Sequence, residues 1–231
     1  WNLIPRNVCD AVSPLKEVNK KMVLWTPEQV VKFLDTARPN RYYAAFYLLL
    51  VTGLRRGEVL GLKWSDLKEN RLYIQRSFVQ TFKGTAWSTP KTERGNRYVT
   101  LPEDALRVLE QHRKLTESER LVFGDTWEDP DLIFPSEIGT PVAPTFFQGV
   151  WKRLQVKAGV PRARLHDMRH LHVSLLIKKG FDPRTVADRV GHTDPAFTLR
   201  KYSHMFEEHR QVAAINLAEL LGSPTPPHEQ N

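Results

Sequence analysis

Residues 165–180 read LHDMRHLHVSLLIKKG, and this stretch predicts a helix over 166–179. Residues three apart lie on one helix face, so His166 and Arg169 direct an imidazole and a guanidinium to the same spot. The planar guanidinium fork matches two phosphate oxygens at once. A histidine and an arginine at this spacing more often form an ordinary solvated face. A phosphate site therefore needs support from elsewhere in the chain.

The histidines of the same stretch raise the alternative of a metal site. His166 and His170 lie four residues apart, and His172 follows closely. A zinc-binding helix with this spacing carries a glutamate directly after its first histidine. Here that position is Asp167, and Arg169 would place a cation beside the metal. The sequence favours phosphate over metal, and a metal-dependent phosphodiesterase stays as the competing interpretation.

Residues 52–67 read TGLRRGEVLGLKWSDL and connect two predicted helices. Gly53 ends an apolar helix over 42–51, and Arg55 stands at the start of the next helix. An arginine there reaches an anion that lies across a helix N-terminus. Glu58, three residues later, is placed to hold that arginine. The alternative is an exposed arginine pair in a helix–helix connection.

Further candidates for chemistry lie in loops and near the end of the chain. Lys91 follows Pro90 in a predicted loop between strands, and His192 follows Gly191 in a predicted loop between helices. Tyr202 comes ten residues after His192 on a predicted helix. Each has an ordinary explanation by itself, such as a solvated lysine or a half-buried tyrosine.

The composition and net charge of the chain limit which kinds of molecule it is expected to bind and which kinds of protein it can be. The chain has 231 residues and a formal net charge of +8, which makes nucleic acid the first partner to consider. The single cysteine, Cys9, excludes an intramolecular disulfide framework and a multi-cysteine zinc module. The longest apolar run, Tyr42 to Val51, is about half a membrane span, and no secretory leader is evident. We expect a cytoplasmic protein that does not span a membrane.

The pattern along the chain predicts a mainly helical α+β fold with one small three-stranded antiparallel sheet. Thr26 and Gln29 form a capping box with Pro27 at the first helical position. An acidic loop is expected over 115–131. The predicted strands are 72–74, 85–88 and 98–100. The predicted helices are 26–39, 42–51, 56–62, 102–114, 143–158, 166–179, 183–190, 197–205 and 208–221.

Taken in order, the candidates resemble the catalytic set of the tyrosine recombinase (phage integrase) family. The stretches 52–67 and 165–180, and VGHTDPAFTLRKYSH at 190–204, resemble the family's motifs, and the resemblance covers nearly all of 24–221. It implies a helical catalytic domain at 25–222. Residues 1–24 are then expected to be a linker from an N-terminal core-binding domain that this sequence lacks, and 223–231 a flexible tail.

The resemblance also implies a mechanism. Tyr202 would attack a DNA phosphodiester and form a 3′-phosphotyrosine, while Arg55, Arg169 and His192 stabilise the developing charge. Lys91 would protonate the leaving 5′ oxygen, and His166 would assist proton movement or hydrogen-bond the phosphate. Glu58 would support the arginines. The predicted contacts to the DNA backbone are Arg56, Arg94, Arg97, Arg164, Arg200 and Lys201.

The implied assembly is a homotetramer on double-stranded DNA, joined through the C-terminal helix, and a monomer without DNA. No metal and no cofactor are expected, because fixed cations supply the charge and the phosphotyrosine conserves the energy of the cleaved bond. Two other functions stay open. One is a type IB topoisomerase-like activity without strand exchange, and the other is a DNA-binding module without chemistry.

Overall fold

The computed structural model describes residues 12, 22–89, 95–128, 131–192, 196 and 202, and it is mainly helical. The predicted α+β class is confirmed. The helices are α1 (Pro27–Ala37), α2 (Tyr43–Thr52), α3 (Arg56–Leu60), α4 (Glu103–Phe123), α5 (Pro144–Ala158), α6 (Leu165–Lys178) and α7 (Pro183–Val190). The strands are β1 (Leu67–Lys68), β2 (Arg71–Ile74), β3 (Ser77–Thr81), β4 (Gly84–Ser88) and β5 (Arg97–Thr100).

The first helix begins where its capping residues predict. The Thr26 hydroxyl accepts from the backbone N–H of Gln29 at 3.4 Å, and the Gln29 side chain accepts from the backbone N–H of Thr26 at 3.0 Å. Pro27 occupies the first helical position, where its missing N–H costs nothing. The capping box predicted from the sequence is therefore present.

The apolar helix α2 lies in the middle of the fold, against α1, α3, α4 and α6. It ends at Gly53, whose φ of 67° is left-handed, and whose N–H donates to the carbonyl of Leu49 at 3.0 Å. A side chain at Gly53 would also collide with the ring of His172, since a Cβ there would lie 2.7 Å from its Cδ2. The glycine thus lets α2 end directly against α6.

An aromatic cluster joins α1, α2 and α5. The ring centroids of Phe33 and Trp151 lie 4.5 Å apart, and those of Trp25 and Trp151 lie 5.1 Å apart. Both indole N–H groups donate to backbone carbonyls of the segment that leads into α6, Trp25 to Pro161 at 2.8 Å and Trp151 to Ala163 at 2.9 Å. The cluster therefore fixes the entry of the helix that carries His166 and Arg169.

The strands pair differently from the prediction of one sheet containing 72–74, 85–88 and 98–100. The three-stranded antiparallel sheet has the order β1-β2-β5. The short β1 is its additional strand, in place of the strand predicted at 85–88. The predicted strand at 85–88 lies in β4, which pairs with β3 as a separate hairpin, with Phe78 opposite Trp87. The short turn between β3 and β4 makes that local pairing easier to form than a pairing with the distant β2.

The predicted acidic loop at 115–131 is wrong over its first part, because α4 continues to Phe123. Charged side chains one turn apart support the exposed face of the helix, as in the pair of Arg113 with Glu117 at 3.2 Å. Glu119 also accepts from the Nε of Arg41 at 2.9 Å, which anchors the extension to the α1–α2 connection. The acidic residues are therefore partners of basic ones rather than a sign of a loop.

Several predictions concern residues outside the described ranges. These are the helix at 197–205 apart from Tyr202, the helix at 208–221, the tail at 223–231 and most of the linker at 1–24. None of the helices in the described ranges combines the length and the apolar character that a membrane span requires.

Replacing Trp151 by alanine should lower the free energy of unfolding by about 3–5 kcal/mol, because it opens a cavity in the aromatic cluster and leaves the Ala163 carbonyl without its donor. Denaturant titration followed by circular dichroism measures the change. Trp87→Ala is the control, since Trp87 is 46% exposed on the hairpin. Its expected cost is about 1 kcal/mol or less. Equal costs for the two variants would contradict the central role of Trp151.

Candidate active site

Helix α6 carries a buried arginine at the centre of the candidate site. Arg169 is 2% exposed, and its Nη1 donates to the carbonyl of Gly53 at 2.8 Å. Its Nη2 is buried and has no hydrogen-bond partner among the described residues. Burial and the charge of Arg55 lower the pKa of Arg169 to about 9, so the side chain is still protonated at neutral pH. A buried guanidinium nitrogen without an acceptor is a site suited to an anion.

Glu58 holds Arg55 at the start of α3. Its carboxylate accepts from the backbone N–H of Arg55 at 2.8 Å and from the Nη1 of the same residue at 2.9 Å. The Arg55 side chain is 46% exposed, and its Nη2 reaches the carbonyl of Gly191 at 3.2 Å. The carboxylate thus fixes the position of an accessible guanidinium, as the spacing of the two residues predicts.

A second arginine binds the same carboxylate from the sheet. Arg97, at the start of β5, donates from Nη1 and Nη2 to the two Glu58 oxygens at 3.1 and 2.9 Å. Its Nε donates to the carbonyl of Arg189 at 3.1 Å. The side chain is 7% exposed, so Arg97 is a buried support of the site and not the exposed DNA contact expected from its place in a basic cluster. It points inward because it shares a strand face with the buried Val99.

The two guanidinium groups keep Glu58 ionised although it is 5% exposed. Burial alone would raise the pKa of this carboxyl, but hydrogen bonds and charge from Arg97 and Arg55 outweigh burial and lower the pKa. With Arg169 close by, the cluster holds three cations and one anion. It therefore retains a net positive charge.

The loop after α7 brings His192 to the cluster. Gly191 ends α7 with a φ of 71°, and a Cβ at this position would lie 2.8 Å from the Nη1 of Arg97. His192 is half-buried, and burial together with the charges of Arg169 and Arg55 lowers its pKa to about 4. The imidazole is neutral at pH 7 and has one ring N–H to donate.

Tyr202 lies beneath α6 and α7 with no exposed surface. Its ring belongs to a small apolar cluster with Val173, Ile177, Val186 and Val190. Its hydroxyl is hydrogen-bonded to the Nδ1 of His170. Burial raises the pKa of the hydroxyl above its ordinary value, and the charge of Arg169 opposes that effect.

The three histidines of α6 differ in burial and in hydrogen-bond partners. His166 is exposed, and its ring contacts that of His170 edge to face, with the centroids 4.8 Å apart. His172 places Nδ1 3.0 Å from the carbonyl of Leu50, and its Nε2 accepts from the Nε of Arg189 at 3.4 Å. Burial and Arg189 lower the pKa of His172 to about 4. Within the described ranges, no group of three or more potential ligands is arranged to hold a metal ion.

Five of the six predicted catalytic residues thus lie in one region. Arg55, Arg169 and Tyr202 are linked to it by the contacts above, and the charges of Arg55, Arg169 and His166 all act on His192. Lys91 lies outside the described residues. His170 is an addition, since the sequence suggested only a metal-binding role for it. Its position one turn after His166 was the available signal.

The predicted DNA contacts are distributed around this region where they are described. Arg164 is exposed at the start of α6 and pairs with Asp167 at 3.0 Å. Arg56 is half-buried and donates to the Gln148 side chain at 2.8 Å. Arg94, Arg200 and Lys201 lie outside the described residues.

Comparisons with known proteins identify relatives over most of the chain. The model of the phage integrase family matches residues 24–209. The chain is 31% identical over 228 residues to the ICEBs1 integrase of Bacillus subtilis, covering 95% of this chain and 60% of that protein. It is 28% identical over 223 residues to a tyrosine recombinase XerC-like protein of Caldanaerobacter subterraneus, covering 90% and 57%. The chain therefore spans about 60% of the length of these relatives.

Solved structures agree on the fold. The integrase of transposon Tn1549, in complex with transposon right end DNA, matches with a TM-score of 0.75 at 22% identity, covering 95% of this chain and 73% of that one. The XerA recombinase matches with a TM-score of 0.64 at 22% identity, covering 86% and 67%. The family match over residues 24–209 confirms the resemblance seen in the sequence, and the chain belongs to the phage integrase family of tyrosine recombinases.

Proposed function

We propose that this chain is the catalytic domain of a site-specific DNA recombinase or integrase that cleaves and rejoins strands through a 3′-phosphotyrosine, without metal or high-energy cofactor. The observation that carries the proposal is the buried Nη2 of Arg169, which has no acceptor among the described residues and lies in the same cluster as Arg55, His192 and Tyr202. A DNA phosphate is an acceptor of the right charge and shape for it.

In this proposal Tyr202 is the nucleophile. Its hydroxyl attacks a phosphodiester, the bond from phosphorus to the 5′ oxygen breaks, and the 3′ phosphate stays on the tyrosine. A phenol is a weak nucleophile at neutral pH and needs a proton acceptor and nearby positive charge. The charge of Arg169 acts on the Tyr202 hydroxyl and supplies part of that requirement.

Arg55 and Arg169 bind the non-bridging oxygens as negative charge develops on them. Both are held before DNA arrives, Arg55 by Glu58 and Arg169 by the Gly53 carbonyl, so little reorganisation is needed during the reaction. His192 is neutral and adds a hydrogen bond from its ring N–H. Fixed cations and donors then supply the charge stabilisation that a metal ion gives in other phosphoryl-transfer sites.

Lys91 is proposed to protonate the leaving 5′ oxygen. The exposed His166 is proposed to hydrogen-bond the phosphate or assist proton movement at the tyrosine. The backbone of double-stranded DNA is proposed to contact Arg56, Arg94, Arg164, Arg200 and Lys201. The Tn1549 integrase was solved with DNA, which supports a DNA substrate here.

Recombination between two duplexes needs four active sites. We propose a homotetramer on DNA that is joined through residues 208–221, and a monomer in its absence. A supercoil-relaxation assay beside a two-site recombination assay on the complete natural protein separates this activity from that of a topoisomerase.

Tyr202→Phe should abolish covalent capture of a nicked suicide substrate and leave DNA affinity nearly unchanged, because only the attacking oxygen is lost. Gel separation of the protein–DNA adduct and a binding titration make the two measurements. Tyr98→Phe is the matched control, since Tyr98 is an exposed tyrosine on β5 that stacks on Tyr73. Capture by the Tyr202 variant would show that another residue attacks, and the proposed function would then be wrong.

Arg169→Lys should slow cleavage at saturating DNA by about 10²- to 10³-fold, because lysine keeps a charge but cannot bond Gly53 and the phosphate with one planar group. DNA affinity should fall far less, since many other cations share the backbone. Arg107→Lys on α4 is the control, because that arginine is exposed and pairs only locally with Glu103 at 2.6 Å. If affinity and rate fell in parallel, Arg169 would be a binding residue and not a catalytic one.

Lys91→Ala should be slow on ordinary DNA and close to wild type on a substrate with sulfur at the scissile 5′-bridging position, because the thiolate leaves without a proton. Arg55→Ala should be slow on both substrates, since it stabilises charge. Lys83→Ala should be mild on both, because Lys83 is exposed in the turn of the β3–β4 hairpin. An equal defect of Lys91→Ala on the two substrates would remove the general-acid role.

A further inference from the structure

The histidine that follows Arg169 hydrogen-bonds the proposed nucleophile. The Nδ1 of His170 is paired with the hydroxyl of Tyr202, and both residues are buried, His170 at 6% and Tyr202 at 0% exposure. A neutral imidazole with its proton on Nε2 accepts at Nδ1. In that tautomer the tyrosine hydroxyl is the donor, and its proton points to the ring nitrogen.

The surroundings of Tyr202 make such an acceptor necessary. The ring packs in the apolar cluster with Val173 and Val186, and this burial raises the pKa of the hydroxyl. In the structure without DNA the Tyr202 side chain has no exposed surface, so the hydroxyl is held by His170 and not by water. A buried phenol can attack phosphorus only if a neighbouring group takes its proton.

Helix α6 brings the phosphate-binding group and the basic nitrogen together. His170 is the next residue after Arg169, whose charge acts on the same tyrosine hydroxyl. His166 packs its ring edge to face on that of His170 from one turn earlier. In these contacts the His170 ring meets His166 and Tyr202, and the charge of Arg169 acts on the same tyrosine hydroxyl.

We propose that His170 orients the Tyr202 hydroxyl and accepts its proton as the phosphotyrosine forms. The inference rests on the proposed function, in which Tyr202 is the nucleophile. As the bond from the tyrosine oxygen to phosphorus forms, the proton moves to Nδ1 and the bond to the 5′ oxygen breaks. A second proton, from the general acid, completes the 5′-hydroxyl. In religation the 5′-hydroxyl returns its proton to the general acid as it attacks phosphorus, the bond from phosphorus to the tyrosine oxygen breaks, and His170 returns its proton to that oxygen.

Two substitutions of His170 show whether it only orients the Tyr202 hydroxyl or also accepts its proton. His170→Asn places an amide oxygen at the same number of bonds from the backbone as Nδ1, so it keeps an acceptor that does not take up a proton. His170→Leu removes the acceptor altogether. Single-turnover cleavage at saturating DNA should fall by about 10²- to 10⁴-fold in both variants, the range for loss of one proton-transfer group. Wild-type speed in His170→Asn would overturn proton transfer to His170.

A more acidic nucleophile tests the same step directly. With 3,5-difluorotyrosine incorporated at position 202, the phenol depends less on an acceptor. The defect of His170→Asn should then shrink to about tenfold or less relative to the fluorinated protein with His170 intact. A defect of unchanged size on both nucleophiles would overturn the proposal, because a distorted site slows both equally.

A third variant controls for the loss of a buried histidine as such. His112 on α4 is 4% exposed and hydrogen-bonds the Ile133 carbonyl at 2.7 Å, away from the candidate site. His112→Asn and His170→Asn should both lower stability, because each removes a buried ring, but His112→Asn should leave the cleavage rate and its response to fluorination as in the wild type.

The Tyr202→Phe variant distinguishes failure of the proposed function from failure of the proposed role of His170. If it still forms the covalent adduct, the proposed function fails. If it is inactive while His170→Asn cleaves at wild-type speed, the nucleophile stands and the role of His170 is overturned.

Discussion

The buried carboxylate of Glu58, held between Arg55 and Arg97, is the interaction on which the candidate site depends. Taking one carboxylate and two guanidinium groups out of water is costly, and only good hydrogen-bond geometry offsets that cost. Four side-chain and backbone N–H groups supply it at 2.8–3.1 Å. The two arginines also reach carbonyls at the end of α7, those of Gly191 and Arg189. One anion therefore sets the relative positions of α3, β5 and α7, and with them the loop of His192.

The same arrangement supports the proposal that the site binds an anion. Arg55, Arg97 and Arg169 outnumber the single carboxylate, and the surplus charge lies where burial reduces the effective dielectric. Arg97 binds both Glu58 oxygens from the buried side, and Arg55, whose side chain is 46% exposed, keeps an accessible face. The Nη1 of Arg169 donates to the carbonyl of Gly53, and its Nη2 is buried without an acceptor among the described residues. A phosphate that binds here meets donors that are already oriented, which is how fixed electrostatics lowers a barrier.

The sequence predicts well what local chemistry determines. The start of α1 follows from Thr26 and Pro27, and the end of α2 follows from Gly53. Features set by distant partners were not predictable. The extension of α4 is one such feature, because Glu119 on it meets Arg41, 78 positions away. The pairing of strand 84–88 with β3 is local, and there the prediction failed because it assigned the strand to the sheet of β2 and β5. Arg97 looked like one more surface cation, and only the fold shows that it lies against Glu58. The pairing of His170 with Tyr202 spans 32 positions and has no local signal beyond helical spacing.

The burial of Tyr202 determines how a DNA phosphate can reach its hydroxyl in the proposed reaction. Its hydroxyl has no exposed surface, so a phosphate can contact it only after neighbouring side chains move. Moving an aromatic ring out of an apolar cluster costs about 1.5–3 kcal/mol. Under the proposed function, a phosphate bound by Arg55 and Arg169 would form charge-assisted hydrogen bonds worth about 1.5–3 kcal/mol each, which would offset that cost. Arg169 and His170 are consecutive on α6, so under the proposed function the group that binds the phosphate and the group that holds the hydroxyl belong to one helix. In that proposal His170 stays hydrogen-bonded to the hydroxyl while the side chains around Tyr202 rearrange, because it lies on the same helix as the arginine that binds the phosphate.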